Sequence, residues 1–218
     1  MSAVPPPNLA DILEISSARH SHLCPRQVLG ARMALASAAT LGLELPRRDK
    51  RLLVIAETDG CFIDGLEAAA GVSPGHRTLR IEDYGKVAAV FVDTGSGLAL
   101  RLAPRADVRE LARAYAPDEP RHYFAQLRGY QLMPDERLFS ITPVSLAVPA
   151  EQIISRPGVR TSCCLCGEEI INEREIIHQG QAYCRACFGL GYYREQSKII
   201  PAGLLSMPAG MNRATVNE

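Results

Sequence analysis

The sequence predicts an α+β fold, a small mixed sheet covered by helices and followed by a separate cysteine module. Three observations carry this reading. Apolar patterning over the first half of the chain runs in the order helix, strand, helix, then three strands. Five of the seven cysteines fall between Cys163 and Cys187. Between these regions stand Pro134, Pro143, Pro149 and Pro157, which forbid long helices.

The elements follow in order. Residues 1–8 are Pro-rich and read as extended. Asp11 to Ser17 reads as a short helix. Pro25 to about Leu45 is rich in Ala and Leu without an internal proline, and Leu29, Met33 and Ala36 share one helical face. Pro46 breaks that helix. Leu52 to Ala56 is a short apolar run bounded by polar residues, the mark of a buried strand. Cys61 to Gly71 reads as a second helix with Gly71 as its stop. Thr78 to Ile81 and Lys86 to Val92 are strands. Asp93-Thr94-Gly95-Ser96-Gly97 is a turn, and Leu98 to Leu102 pairs back as the next strand. Residues 105–115 and 119–131 read as helices, and Leu138 to Ile141 as one strand in an otherwise extended stretch. The expected organisation is a core domain over 10–132, a Pro-rich connector over 133–160, a zinc ribbon over 161–195 and a loose tail over 196–218.

Charge removes some functions. The chain carries 24 Lys+Arg against 24 Asp+Glu, so it lacks the basic excess of a nucleic-acid or anionic-membrane binder. Its longest apolar run, Val87 to Val92, is far short of the roughly 20 residues of a membrane helix. Met1 to Pro7 shows no basic segment leading into an apolar one, so no signal peptide is read and a cytoplasmic location is expected. Clustered cysteines in such a setting point to metal rather than disulfides.

Cys163-x-x-Cys166 is followed after seventeen residues by Cys184-x-x-Cys187. Each pair fits a tight turn that aims both sulfurs at one point, and the intervening loop allows a hairpin that returns the second pair to the first. Four thiolates around one tetrahedral ion make a closed structural zinc site. The alternatives are two redox-active Cys-x-x-Cys motifs or free thiols. Cys164, inside the first turn, reads as a spare thiol. Between Thr161 and Glu195 there are three Arg, no Lys and five Glu, so the module is a poor partner for phosphates.

A second cluster lies near the start. His20-Ser21-His22-Leu23-Cys24-Pro25 places two imidazoles and a thiol beside a proline suited to a first helical turn. Cys24 is thus expected as an N-cap, and Cys61, after Glu57-Thr58-Asp59-Gly60, at the next helix start. A thiol there feels the positive end of the helix dipole. Packing the helices side by side would converge His22, Cys24 and Cys61, and three ligands with an open position suit a catalytic zinc. A structural histidine and two core cysteines are the alternative.

These motifs, with Asp64 and Glu82-Asp83-Tyr84-Gly85-Lys86, resemble the FmdE family, proteins related to one component of formylmethanofuran dehydrogenase. Met133-Pro134-Asp135-Glu136, the Cys-x-x-Cys pairs and Gly191-Tyr192-Tyr193 resemble members with a C-terminal zinc ribbon. The chain departs from the family pattern at Ser21 and Arg26, commonly Gly, at Thr58, commonly Asn, and at His76, commonly Lys. The resemblance implies an FwdE/GAPDH-like α+β core, a homodimer and a groove lined by the motif residues. It implies a second metal, zinc, at His22, Cys24 and Cys61, with His20, Asp64, Tyr84 and Lys86 as ligand-binding residues.

Three functions stay open. The first is a metal-binding accessory to a molybdenum or tungsten oxidoreductase, with a molybdopterin enzyme as partner and a small ligand in the groove. The second is a small zinc-dependent enzyme using His22, Cys24 and Cys61, assisted by Lys86 or Asp64. The third, disfavoured by the acidic ribbon, is a nucleic-acid regulator. Metal storage and redox sensing through Cys24 and Cys61 complete the readings.

Overall fold

A computed structural model describes residues 8–19, 21–154 and 156–194. His20 and the tail over 196–218 therefore lie outside the described residues. The chain divides into two compact units, Met1–Ile154 and Ser155–Glu218.

In the first unit α1 (Leu9–Ala18) starts at Asn8, whose side chain accepts the Asp11 N–H at 3.0 Å. The second helix, α2 (Pro25–Leu41), has Pro25 in its first turn. It stops short of the expected Leu45 because Gly42 adopts the left-handed conformation, φ 67°, that ends helices. Strand β1 (Leu52–Ala56) and helix α3 (Cys61–Ala70) follow, the latter ended in the same way by Gly71. Next come β2 (Leu79–Ile81), β3 (Ala89–Asp93) and β4 (Ala99–Pro104). Helices α4 (Val108–Tyr115), α5 (His122–Leu132) and the single turn α6 (Asp135–Leu138) lead to β5 (Phe139–Pro143) and α7 (Ala150–Ile154). The five strands form one mixed sheet in the order β2-β1-β3-β4-β5. Only the β1–β2 pair is parallel.

Alternation along the strands gives the sheet two apolar faces. Leu52, Val54, Ala56, Phe91 and Leu102 join the helices in the main core. Leu53, Val92 and Ala99 point the other way and are covered by Val144, Leu146, Ala150, Ile153 and Ile154. The expected connector is thus folded as far as Ile154. Its prolines end elements on an edge strand, where a missing N–H costs little, and its apolar residues close the second face. Arg80 secures this cover by donating to the Ile153 carbonyl at 2.9 Å.

Two glycines let α2 and α3 pack backbone to backbone. A Cβ on Gly30 would lie 2.2 Å from the Phe62 carbonyl oxygen, and one on Gly65 would lie 2.1 Å from that of Gln27. Gln27, fully buried, accepts the Cys24 N–H at 2.8 Å and donates to the carbonyl and hydroxyl of Ser16. That amide joins the end of α1 to the start of α2. Arg32 closes the far side: its guanidinium donates to the carbonyls of Tyr130, Gln131 and Met133 and to Asp135. A cation thereby satisfies carbonyls left open at the end of α5.

The second unit holds two short antiparallel hairpins, β6 (Arg160–Ser162) with β7 (Glu169–Ile171), and β8 (Ile176–His178) with β9 (Gln181–Tyr183). A short π-helical turn spans Ala186–Leu190. The rings of His178, Tyr183 and Phe188 pack against one another. Arg156 pairs with Glu173 and Arg160 with Glu169.

Candidate functional site

In the second unit the expected ligands Cys163, Cys166, Cys184 and Cys187 come together, with all four sulfurs within 4.8 Å of one another. Cys166 Sγ and Cys184 Sγ are 3.9 Å apart. Sulfurs about 2.3 Å from a tetrahedral ion would be about 3.8 Å from each other, so the cage fits one such ion. Backbone N–H groups point at the sulfurs: Cys184 donates to Cys163 Sγ and Cys187 to Cys184 Sγ, each at 3.3 Å. Burial opposes charge on Cys163, but the N–H groups of Cys166, Cys184 and Leu165 outweigh it and bring the thiol down to about 6. Burial, with Cys184, Cys166 and Cys163 beside it, pushes the Cys187 thiol up. Four anionic sulfurs so close repel one another, and a divalent cation removes that repulsion. Cys164 is exposed and stands outside the cage, near the Tyr183 phenol.

In the first unit Cys24 is the N-cap of α2 and Cys61 the first residue of α3. Their side chains are in hydrogen-bond contact. Burial is the main cause that raises the Cys61 thiol, followed by that hydrogen bond and by charge on Cys24. Gly60 makes the entry possible, since its φ of 75° and ψ of −156° suit glycine alone. Asp64 lies one turn into α3, close enough for its charge to act on Cys61. His22 is exposed, with its Nδ1 3.0 Å from Ser21 Oγ. Among the described residues the ribbon cage is the one set of three or more His, Cys, Asp or Glu gathered for a metal. Cys24 and Cys61 are thus brought together, and His22 is not gathered with them.

Tyr84 and Lys86 sit in the exposed loop between β2 and β3, rather than in a strand beginning at Lys86. Both of their N–H groups donate to the Glu57 carbonyl, at 2.9 and 3.1 Å. The Glu57 carboxylate receives two hydrogen bonds from Arg101, at 2.5 and 2.6 Å. Arg101 and, more weakly, Lys86 hold that carboxyl below its usual range against the effect of burial. This ion pair ties the loop of Tyr84 and Lys86 to the turn that leads into Cys61.

Two residues escaped the sequence reading. Arg101 lies on the sheet face opposite the helices, and a lone arginine in an alternating strand reads as a solvent position. Tyr123, on α5, lies near both thiols: burial raises its phenol, and charge on Cys24 and Cys61 adds to this. Its hydroxyl donates to the Leu23 carbonyl at 3.4 Å. Nothing in the sequence links position 123 to position 24, because only the packing of α5 on α2 brings them together.

Residues 19–140, which include both core cysteines, match the family described as FmdE, molybdenum formylmethanofuran dehydrogenase operon. The chain belongs to the FmdE family. A probable S-adenosyl-L-methionine-binding protein of Archaeoglobus fulgidus is 32% identical to this FmdE chain over 93 residues, or 41% of the chain. The match spans 25% of that relative's length. The crystal structure of an FmdE-like protein of tungsten formylmethanofuran dehydrogenase, from Syntrophus aciditrophicus, has a TM-score of 0.55 at 18% identity. The likeness covers 89% of this chain and 100% of that one, so the FmdE fold is shared. Among the described residues no helix is long and apolar enough to cross a membrane.

Proposed function

We propose that this chain is a metal-binding accessory protein for a molybdenum or tungsten oxidoreductase. In this reading the ribbon holds a structural zinc, and the core thiols hold a second zinc with a position open to a small ligand. The observation that carries it is the contact of Cys24 with Cys61 at two adjacent helix starts, inside the family-matched segment. Two soft donors at helix N-termini favour a thiophilic cation and an anionic or thiol ligand. His22 would complete the set by a rotation of its exposed side chain, and His20, Asp64, Tyr84 and Lys86 would meet the ligand. The protein would act in the cytoplasm as a homodimer, beside a molybdopterin enzyme and without nucleic acid. The family description and the solved relative support that setting.

The phenol of Tyr123 beside the thiols supports a second reading, a zinc-dependent enzyme. A phenol there can exchange a proton with a bound ligand.

The test is metal analysis followed by titration. Purified protein should hold about two zinc ions per chain, and Cys24→Ala and Cys184→Ser should each lose a different one. The metal-loaded protein is then titrated with a thiol chelator, a pterin phosphate, S-adenosyl-L-methionine and a short DNA duplex at two salt concentrations. Binding of a small ligand that Cys24→Ala abolishes supports the proposal. Salt-sensitive duplex binding that ignores Cys24→Ala overturns it. Turnover of a bound ligand favours the enzyme.

A further inference from the structure

The core thiols have a second chemistry that needs no metal. Cys24 and Cys61 are in hydrogen-bond contact, and the Gly30–Gly65 backbone contact fixes the helices that carry them. The two are unequally open to solvent: Cys24 is 7% exposed, whereas Cys61 is only partly buried. A contacting pair with one open and one buried sulfur has the form of an attacking and a resolving thiol. The other five cysteines belong to the second compact unit, where four of them form the ribbon cage.

We propose that Cys24 and Cys61 are a reversible dithiol–disulfide couple whose oxidation closes the core site to metal. The oxidant is a low-molecular-weight disulfide. The Cys61 thiolate attacks one sulfur of that disulfide and breaks its S–S bond. The first thiol departs with the proton that Cys61 gave up, and a mixed disulfide remains on Cys61. The Cys24 thiolate then attacks Cys61 Sγ and expels the second thiol, which takes the Cys24 proton. Two protein thiols lose two electrons in total, and one external disulfide becomes two thiols. An excess of free thiol runs both steps backwards. The couple stands on the thiol geometry alone, whereas its effect on metal rests on the core zinc proposed above.

The experiment uses the full, zinc-loaded chain. It is equilibrated without oxygen in mixtures of reduced and oxidised glutathione, alkylated, digested with trypsin and analysed by mass spectrometry. Arg19, Arg26, Arg51 and Arg77 place Cys24 and Cys61 on separate tryptic peptides, apart from the ribbon cysteines. The expected result is a link between those two peptides that grows with oxidised glutathione and disappears with reduced glutathione. In Cys24→Ser a glutathione adduct should persist on Cys61, and in Cys61→Ser Cys24 should carry none. No Cys24–Cys61 link at any ratio overturns the couple, as does a link made only through Cys164. An adduct on Cys24 in Cys61→Ser overturns the order of attack. The wild-type arm needs no substitution, and circular dichroism checks that each variant is folded. Zinc is counted on the same samples, with a loss of about one ion per chain expected on oxidation. If the link forms while the zinc count stays fixed, the core metal reading fails and the couple stands.

Discussion

Gly30 and Gly65 meet across α2 and α3 with no room for a methyl group on either. Each Cβ would fall little more than 2 Å from a carbonyl oxygen of the other helix, on Phe62 and Gln27 respectively. This contact sets the spacing of Cys24 and Cys61, which lie at the same ends of those helices. Gly65→Ala should therefore destabilise the protein by about 1–3 kcal/mol, the usual cost of overpacking a filled core. It should also slow cross-linking of Cys24 to Cys61 by a bifunctional thiol reagent. Urea unfolding and reagent kinetics check both effects. An alanine variant as stable as the wild type would show that the helices part without cost.

Cys184→Ser should remove the ribbon metal and open the second unit to protease. The helical circular dichroism should change little, because α1 to α7 all lie in the first unit. Metal analysis and limited proteolysis report the two effects separately. Unchanged metal and unchanged protease resistance would dismiss the four-cysteine cage.

The Glu57–Arg101 pair gives a pH dependence. The folded-state pKa of Glu57 is depressed, mainly by its hydrogen bonds to Arg101. Its contribution to stability is thus fully present above the ordinary carboxyl pKa of about 4.3 and is lost as pH falls through the lower folded value. Arg101→Met should be less stable than the wild type at pH 7, and the gap should narrow below about pH 4. Thermal melts across that range check the sign. A gap that stays constant with pH would remove the ion pair as its cause.

Arg32→Met should cost about 2–4 kcal/mol, because it leaves carbonyls at the end of α5 without their charged donor. Hydrogen exchange should quicken first in residues 129–133. Uniform exchange across the unit would argue against a local capping role.

Light scattering at micromolar concentration should give the mass of two chains, not the 23.7 kDa of one. A monomer at that concentration would remove the dimer from the proposal.

Elements with a local cause were legible in the sequence. Leu52 to Ala56 reads as a strand and is β1, and Gly71 reads as a helix stop and is one. Both thiols read as helix starts because Pro25 and the Gly60–Cys61 step are local signals. The packing of 144–154 was not legible, since those apolar residues have no period and are ordered by a sheet face made elsewhere. Tyr123 was hidden for the same reason: its place beside Cys24 depends on how α5 crosses α2. Spacing put the four ribbon sulfurs together, as a hairpin between two Cys-x-x-Cys turns requires. It could not orient His22, which lies between α1 and α2, where no helical or strand period sets the direction of a side chain.

The buried amide of Gln27 bears on binding kinetics. It holds the Cys24 N–H and is itself held by Ser16, so the backbone at this thiol is fixed before any ligand arrives. Ligand capture there carries little cost of ordering the chain. Ligands that differ widely in affinity should then associate at similar rates and differ in how long they stay. The core site would act less as a closing hand than as a fixed socket, its selectivity written in residence time.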